Sequence, residues 1–341
     1  MEPIVLGPNQ LHRFYKGGAA ISALRGTPND DDYAPEDWVG STTAVFGSDS
    51  VGISTLPDGR LLSDAVAGQP EDFLGAEHVA AYGADPALLV KLLDAGERLP
   101  AHLHPDRAFA RAHLGSRYGK TEAWIIADAQ RDAAVHVGFA EDVPAQVLER
   151  WVAGQNRDAL LGALNRRAVR AGDVLFVPAA TPHAIGDGIL IVEIQEPSDL
   201  SILLEWEGFA IDGPNQGHLG LGFDLALTAV DRSGWDAERL ARLAAGRGET
   251  RPGVEALFPA AADAFFRAER IRPAPSSLPA AFSILVVTQG AGVLEAGARS
   301  IELTRGDTVL VPQAAGECRL SGDMVVLRCM PPGPDATVGR R

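Results

Sequence analysis

Short apolar runs broken by Gly, Pro and Asp dominate the chain: 87–93 (ALLVKLL), 123–127 (AWIIA), 173–178 (DVLFVP) and 188–194 (GILIVEI). Runs of this length between turn residues predict strands. Two stretches change period. Between 143 and 169, Leu148, Trp151, Val152, Leu160, Leu161 and Leu164 recur at helical spacing and predict two helices in a hairpin. Residues 233–248 (SGWDAERLARLAAGRG) predict a further helix, with Ser233 as N-cap and Gly246 or Gly248 near its end. The pattern as a whole is mainly β with helical insertions.

One string occurs twice. Gly172-Asp173-Val174-Leu175-Phe176-Val177-Pro178 is answered 134 residues later by Gly306-Asp307-Thr308-Val309-Leu310-Val311-Pro312. Gly and Asp supply a tight turn, the apolar run a buried strand, and Pro ends the pairing. Two copies predict two related β-barrel lobes; the alternative is chance likeness between two strand entries. The length of 341 residues agrees with two units, at roughly 150 residues per domain.

Charge narrows the partners. With 30 Lys+Arg against 45 Asp+Glu, the net charge is −15, which repels phosphate backbones and argues against nucleic-acid binding. An anionic substrate would need local positive charge. The segment MEPIVLGPNQ lacks the features of a signal peptide, and no run of about 18 apolar residues predicts a membrane span. Two cysteines, Cys318 and Cys329, exclude a disulfide framework and suit a cytoplasmic setting, most simply as buried strand residues.

The densest chemistry lies in Gly96-Glu97-Arg98-Leu99-Pro100-Ala101-His102-Leu103-His104-Pro105. On a strand, residues two apart share a face, so His102 and His104 can present two imidazoles to one divalent ion. A third, His183, follows the strand and turn that begin at Gly172. Lone histidines, such as His12, His78, His113 and His136, are usually surface or core residues. The spaced set is harder to dismiss. Glu122, opening the AWIIA strand, is the better carboxylate to complete it than Asp106, and Lys120 would share its face.

These motifs resemble those of the type I mannose-6-phosphate isomerase family, within the cupin superfamily. The segments 89–106 (LVKLLDAGERLPAHLHPD), 119–128 (GKTEAWIIAD) and 172–196 (GDVLFVPAATPHAIGDGILIVEIQE) match its Q-V-H-P-[DN], G-K-T-E-x-W and G-D-x-x-x-[VI]-P-A-G-T-x-H-A-I signatures. Pro35-Glu36-Asp37-Trp38 resembles its P-E-x-W, and residues 137–169 resemble its helical insertion. The likeness covers about residues 30–230.

The resemblance implies two cupin-like (double-stranded β-helix, jelly-roll) barrels with helical insertions. Residues 1–232 would form the metal-bearing catalytic domain, with the insertion at about 143–168. A connecting helix would occupy 233–249, and a degenerate, metal-free barrel 250–341, where Glu317 stands in the place of His183. One Zn²⁺ per chain is implied, held by His102 (a Gln in the usual motif), His104, Glu122 and His183. Lys120 falls on the family's active-site lysine and Glu193 on a carboxylate at the barrel mouth; both are candidate acid–base groups. Trp38 falls near the substrate pocket. Lys120, Arg111 and Arg117 are the cations available for substrate. The implied activity is interconversion of mannose 6-phosphate and fructose 6-phosphate through a cis-enediol.

One departure bears on substrate. Where the family has Y-D-W-x-R, this chain reads Leu204-Glu205-Trp206-Glu207-Gly208, so Gly208 stands at the Arg position and two acids are close by. Phosphate recognition needs Arg or Lys donors. The same isomerase chemistry on an unphosphorylated or otherwise substituted sugar, or a non-catalytic metal- and sugar-binding cupin, are the alternatives.

Overall fold

Three antiparallel sheets make up the protein, seen in a computed structural model that describes residues 1–272 and 275–333. The strands are β1 (Ile4–Val5), β2 (Gln10–Leu11), β3 (Glu36–Val39), β4 (Leu89–Ala95), β5 (His102–Leu103), β6 (Glu122–Ala129), β7 (Ala134–Phe139), β8 (Leu164–Ala168), β9 (Val174–Val177), β10 (His183–Ile185), β11 (Ile189–Gln195) and β12 (Ile202–Leu203). Next come β13 (Gly248–Arg251), β14 (Val254–Ala256), β15 (Arg267–Ile271), β16 (Ser276–Leu278), β17 (Ser283–Ala296), β18 (Arg299–Thr304), β19 (Thr308–Val311) and β20 (Cys318–Met330). The four apolar runs thus become β4, β6, β9 and β11.

One sheet runs β2-β3-β4-β11-β6-β9 and a second β12-β5-β10-β7-β8. Leu93, Trp124, Ile126 and Ile191 of the first share one core with Val135, Val137 and Ile185 of the second. Both inner faces are therefore apolar, and β4 and β11 are buried along their whole length. Into this barrel the sequence inserts polar side chains at the few positions that form the site.

The remaining sheet, built around β17 and β20, has a separate apolar interior including Leu285, Val287, Leu294, Leu320 and Val326. The repeated string has the same shape twice: Gly172 and Gly306 both take left-handed φ (93° and 97°), and β9 and β19 follow directly. The N-terminus crosses over to this sheet, since β1 pairs with β19 (Ile4↔Leu310). No local pattern could reveal a pairing across three hundred positions. Residues 334–341 of the expected second barrel lie outside the described residues.

Two helical expectations shift. The hairpin consists of helices Ala145–Ala153 and Arg157–Ala163, but 164–168 is strand β8, where burial alternates with period two. The later helix spans Ala237–Leu243 and is capped by Asp236, which accepts from the Arg239 N–H; Ser233 instead donates its hydroxyl to Asp231. Trp235 is the reason: its ring packs directly over Gly138, holding 233–235 extended, so the helix starts only beyond it. Among the described residues no helix is long and apolar enough to cross a membrane.

Candidate metal centre and active site

Strand pairing assembles the histidines. His183 on β10 lies directly opposite His102 on β5, and His104 leaves the end of β5 toward the same point. The three rings offer nitrogens that all lie within 4.8 Å of one another, and all three residues are buried. Each ring uses Nδ1 on a backbone carbonyl at 2.8 Å: His102 on Pro100, His104 on Leu200, His183 on Thr181. Only an Nδ1–H can donate there, so each Nε2 is left with a bare lone pair facing inward.

Glu122 faces them. Its carboxylate oxygens lie 3.0 Å from His104 Nε2 and 3.3 Å from His183 Nε2. Buried His183 Nε2 has no hydrogen-bond partner, whereas Glu122 Oε2 and His104 Nε2 are both faced by the Lys120 amine. Where His183 Nε2 meets Glu122 Oε1, two acceptors lie that close without a proton between them, an arrangement that suits a cation. Three imidazoles and a carboxylate suit a divalent ion of the zinc type, so the donor set fits the group the motifs imply.

Lys120 and Glu193 complete the cavity. Lys120 Nζ is 2.9 Å from Glu122, 2.8 Å from His104 Nε2 and 3.9 Å from Glu193. Gly119 makes this approach possible, because a Cβ there would lie 2.6 Å from the Pro105 carbonyl oxygen. Glu193 is pushed up to about 7, first by burial and then by the Glu122 carboxylate, against the pull of Lys120 and Lys91. Glu122 is held well below the usual carboxylate range: burial raises it, but Lys120 and His104 outweigh burial.

The cavity above these groups is narrow, about 50 Å³, and is also lined by Arg13, Tyr15, Glu36, Lys91, Asp199 and Ser201. Sequence reasoning missed those six. Lys91 sits directly opposite Glu193 in the β4–β11 register and between Glu36 (3.2 Å) and Glu193 (3.5 Å). Its position in an otherwise apolar strand was the available signal. Arg13 and Asp199 come from loops and gave none. A larger cleft of about 600 Å³ opens beside the cavity and shares Arg13, Phe14, Asp199, Ser201 and Leu203 with it.

Other expected substrate contacts are displaced. Trp38 is fully buried; its indole N–H donates to Glu36 and its ring lies 4.8 Å from Lys91 Nζ, so it braces two cavity residues rather than lining the cavity. Arg111 and Arg117 do not line it either. Arg111 lies on helix Arg107–Leu114, and Arg117 donates to the Tyr82 and Ala81 carbonyls. Glu205, one of the two acids beside Gly208, is buried in a bidentate pair with Arg98 (2.5 and 2.8 Å), and Glu207 is exposed. Gly208 itself takes φ 92°, a left-handed turn that side-chain-bearing residues rarely adopt.

Two expected results arise here. Arg98→Ala should destabilise the protein by about 3 kcal/mol, because it strands a buried carboxylate; a chemical-denaturation loss below about 1 kcal/mol would refute the pair's role. The second concerns acid. Burial lowers all three site histidines below 6.5, His104 to about 3. Such groups stabilise the fold fully above the unfolded value and progressively less as pH falls below it. Glu193, raised to about 7, works in the opposite sense, one group against three. The metal-free protein should therefore lose thermal stability from pH 6.5 downward; a melting temperature that rises over that range would contradict it.

A buried cluster of three histidines and a carboxylate between the facing sheets of a small β-barrel is a cupin-like arrangement whose donor set fits a metal ion. No protein-family profile matches the chain. It is 33% identical over 202 residues to the mannose-6-phosphate isomerase of Streptococcus mutans, covering 58% of each protein. The chain thus spans less than two thirds of that relative's length. Its fold matches the crystal structure of the mannose 6-phosphate isomerase from Bacillus subtilis with a TM-score of 0.78 at 23% identity, over 96% of this chain and 99% of that one. It also matches a mannose 6-phosphate isomerase described as bound with zinc and yttrium (TM-score 0.72, 16% identity, 97% and 100% covered). The chain is thus similar in sequence to mannose-6-phosphate isomerases over those 202 residues, and it shares their fold over nearly its whole length.

Proposed function

We propose that the protein is a zinc-dependent aldose–ketose isomerase that interconverts the mannose and fructose forms of a hexose. The observation that carries this reading is the set of inward lone pairs of His102, His104 and His183 with Glu122, adjoining Lys120 and Glu193 in one cavity. These four ligands would hold one divalent ion, which when bound supplies Lewis acidity to sugar oxygens.

The chain's own groups supply the proton chemistry. Isomerisation moves one proton between C1 and C2 and another between O1 and O2. A carboxyl group poised near neutrality can take the carbon-bound proton and return it to the adjacent carbon, which is the role proposed for Glu193. Lys120 is assigned to the sugar oxygens, donating where charge develops. The chemistry is assigned to residues 1–232, with 250–341 as a metal-free supporting barrel and the cytoplasm as the setting, in keeping with the buried thiols of Cys318 and Cys329.

Mannose 6-phosphate is the substrate put forward by the relatives' names. Free mannose is the second reading, favoured by one observation: every cation lining the cavity already has a carboxylate partner. Metal-loaded protein should turn over at least one of the two sugars in a coupled assay. Failure with both, at stoichiometric zinc, would overturn the isomerase reading.

A further inference from the structure

The inner cavity and the outer cleft meet at a neck formed by the residues they share, and a hexose with C1 and C2 at the histidines would turn its far end toward it. Arg13 is the one lysine or arginine lining that cleft among the described residues. Its guanidinium is already engaged. Nη1 and Nη2 donate to the two oxygens of Asp199 at 3.2 and 3.1 Å, and Nε lies 3.3 Å from Glu36. Their side chains are only 14% and 6% exposed, so the pair is largely shielded from water.

A phosphate dianion at this neck would compete with Asp199 for the same forked donors and face its carboxylate at contact distance. Among the described residues, the other lysines lining the inner cavity are also paired with carboxylates. Lys91 is held by Glu36 and Glu193, and Gly208 leaves the family's Arg position without a side chain. A hydroxyl meets no such penalty, because it can donate to Asp199 and accept from Arg13 without separating them. The desolvated pair thus works by rejection as much as by attraction.

We propose that the Arg13–Asp199 pair determines specificity, closing the neck to phosphate and making an unphosphorylated hexose the substrate. This rests on the isomerase reading above. The test compares kcat/KM for mannose and mannose 6-phosphate in the zinc-loaded wild type, Asp199→Asn and Asp199→Glu. The wild type should favour mannose by about tenfold or more. Asp199→Asn frees the guanidinium and should shift the ratio toward the phosphate by about tenfold, whereas Asp199→Glu, which keeps the charge, should hold it nearer the wild type. A purely structural role would depress both sugars alike. Wild-type preference for mannose 6-phosphate, or equal use of the two, overturns the proposal, and does so even if the variants fail to fold. A ratio unmoved in folded Asp199→Asn overturns the pair's role. Turnover of neither sugar by the wild type strikes instead at the isomerase reading.

Discussion

Replacing His104 or His183 by alanine is expected to remove both the metal and the activity. Each ring contributes one inward lone pair, fixed by its Nδ1–H bond to a backbone carbonyl. Losing one leaves Glu122 facing an incomplete donor set in a buried site. A bound divalent ion supplies several kcal/mol of charge stabilisation, and about 4 kcal/mol corresponds to roughly 10³-fold in rate. Turnover should fall by at least that factor, with metal content by elemental analysis dropping in parallel. Chelation of the wild type should reproduce the loss, and added zinc should reverse it. A variant that keeps stoichiometric metal, or activity within tenfold of wild type, would remove that histidine from the ligand set.

Lys120→Met is expected to cut turnover by about 10²–10⁴-fold, the range for a positioned acid–base group, while leaving zinc content intact. Lys120 Nζ reaches Glu122, His104 and Glu193, so its amine stands between the ligand set and the proposed proton carrier. The kinetic split separates its roles. A fall in kcat assigns it to the reaction; a rise in KM with kcat preserved assigns it to substrate binding. A fall in zinc affinity would mean that it merely positions Glu122. Kinetics and zinc content both unchanged would take Lys120 out of the site.

Much of the site was legible because strands translate spacing into direction. His102 and His104, or Lys120 and Glu122, stand two apart in the sequence, and a period of two puts such pairs on one side of a sheet. The four apolar runs likewise became β4, β6, β9 and β11 with small changes at their ends. Where local preferences competed, the sequence was a poorer guide. Ser233 is as good a cap as Asp236 by residue type, and the docking of Trp235 on Gly138 chose between them. Arg111 and Arg117 qualified by charge alone, but neither lines the cavity, and Arg117 is turned to the Tyr82 and Ala81 carbonyls.

Residue type and spacing pointed to the β-rich class and to His102, His104 and His183 as a candidate metal group, and the motif resemblance added Glu122 and Lys120 beside them. These rest on spacing within strands and on motifs that each occupy their own segment; strand pairing then brings the segments together. The tertiary structure decided what surrounds them. It set Lys91 across from Glu193, drew Arg13 and Asp199 from distant loops into the neck, and hid Glu205 against Arg98. It also tied the N-terminus to β19. The physical reason is that charge pairing and sheet pairing act through space. A guanidinium is free to bind phosphate or neutralised by a carboxylate according to what folding brings within about 3 Å of it, and linear order does not encode that distance.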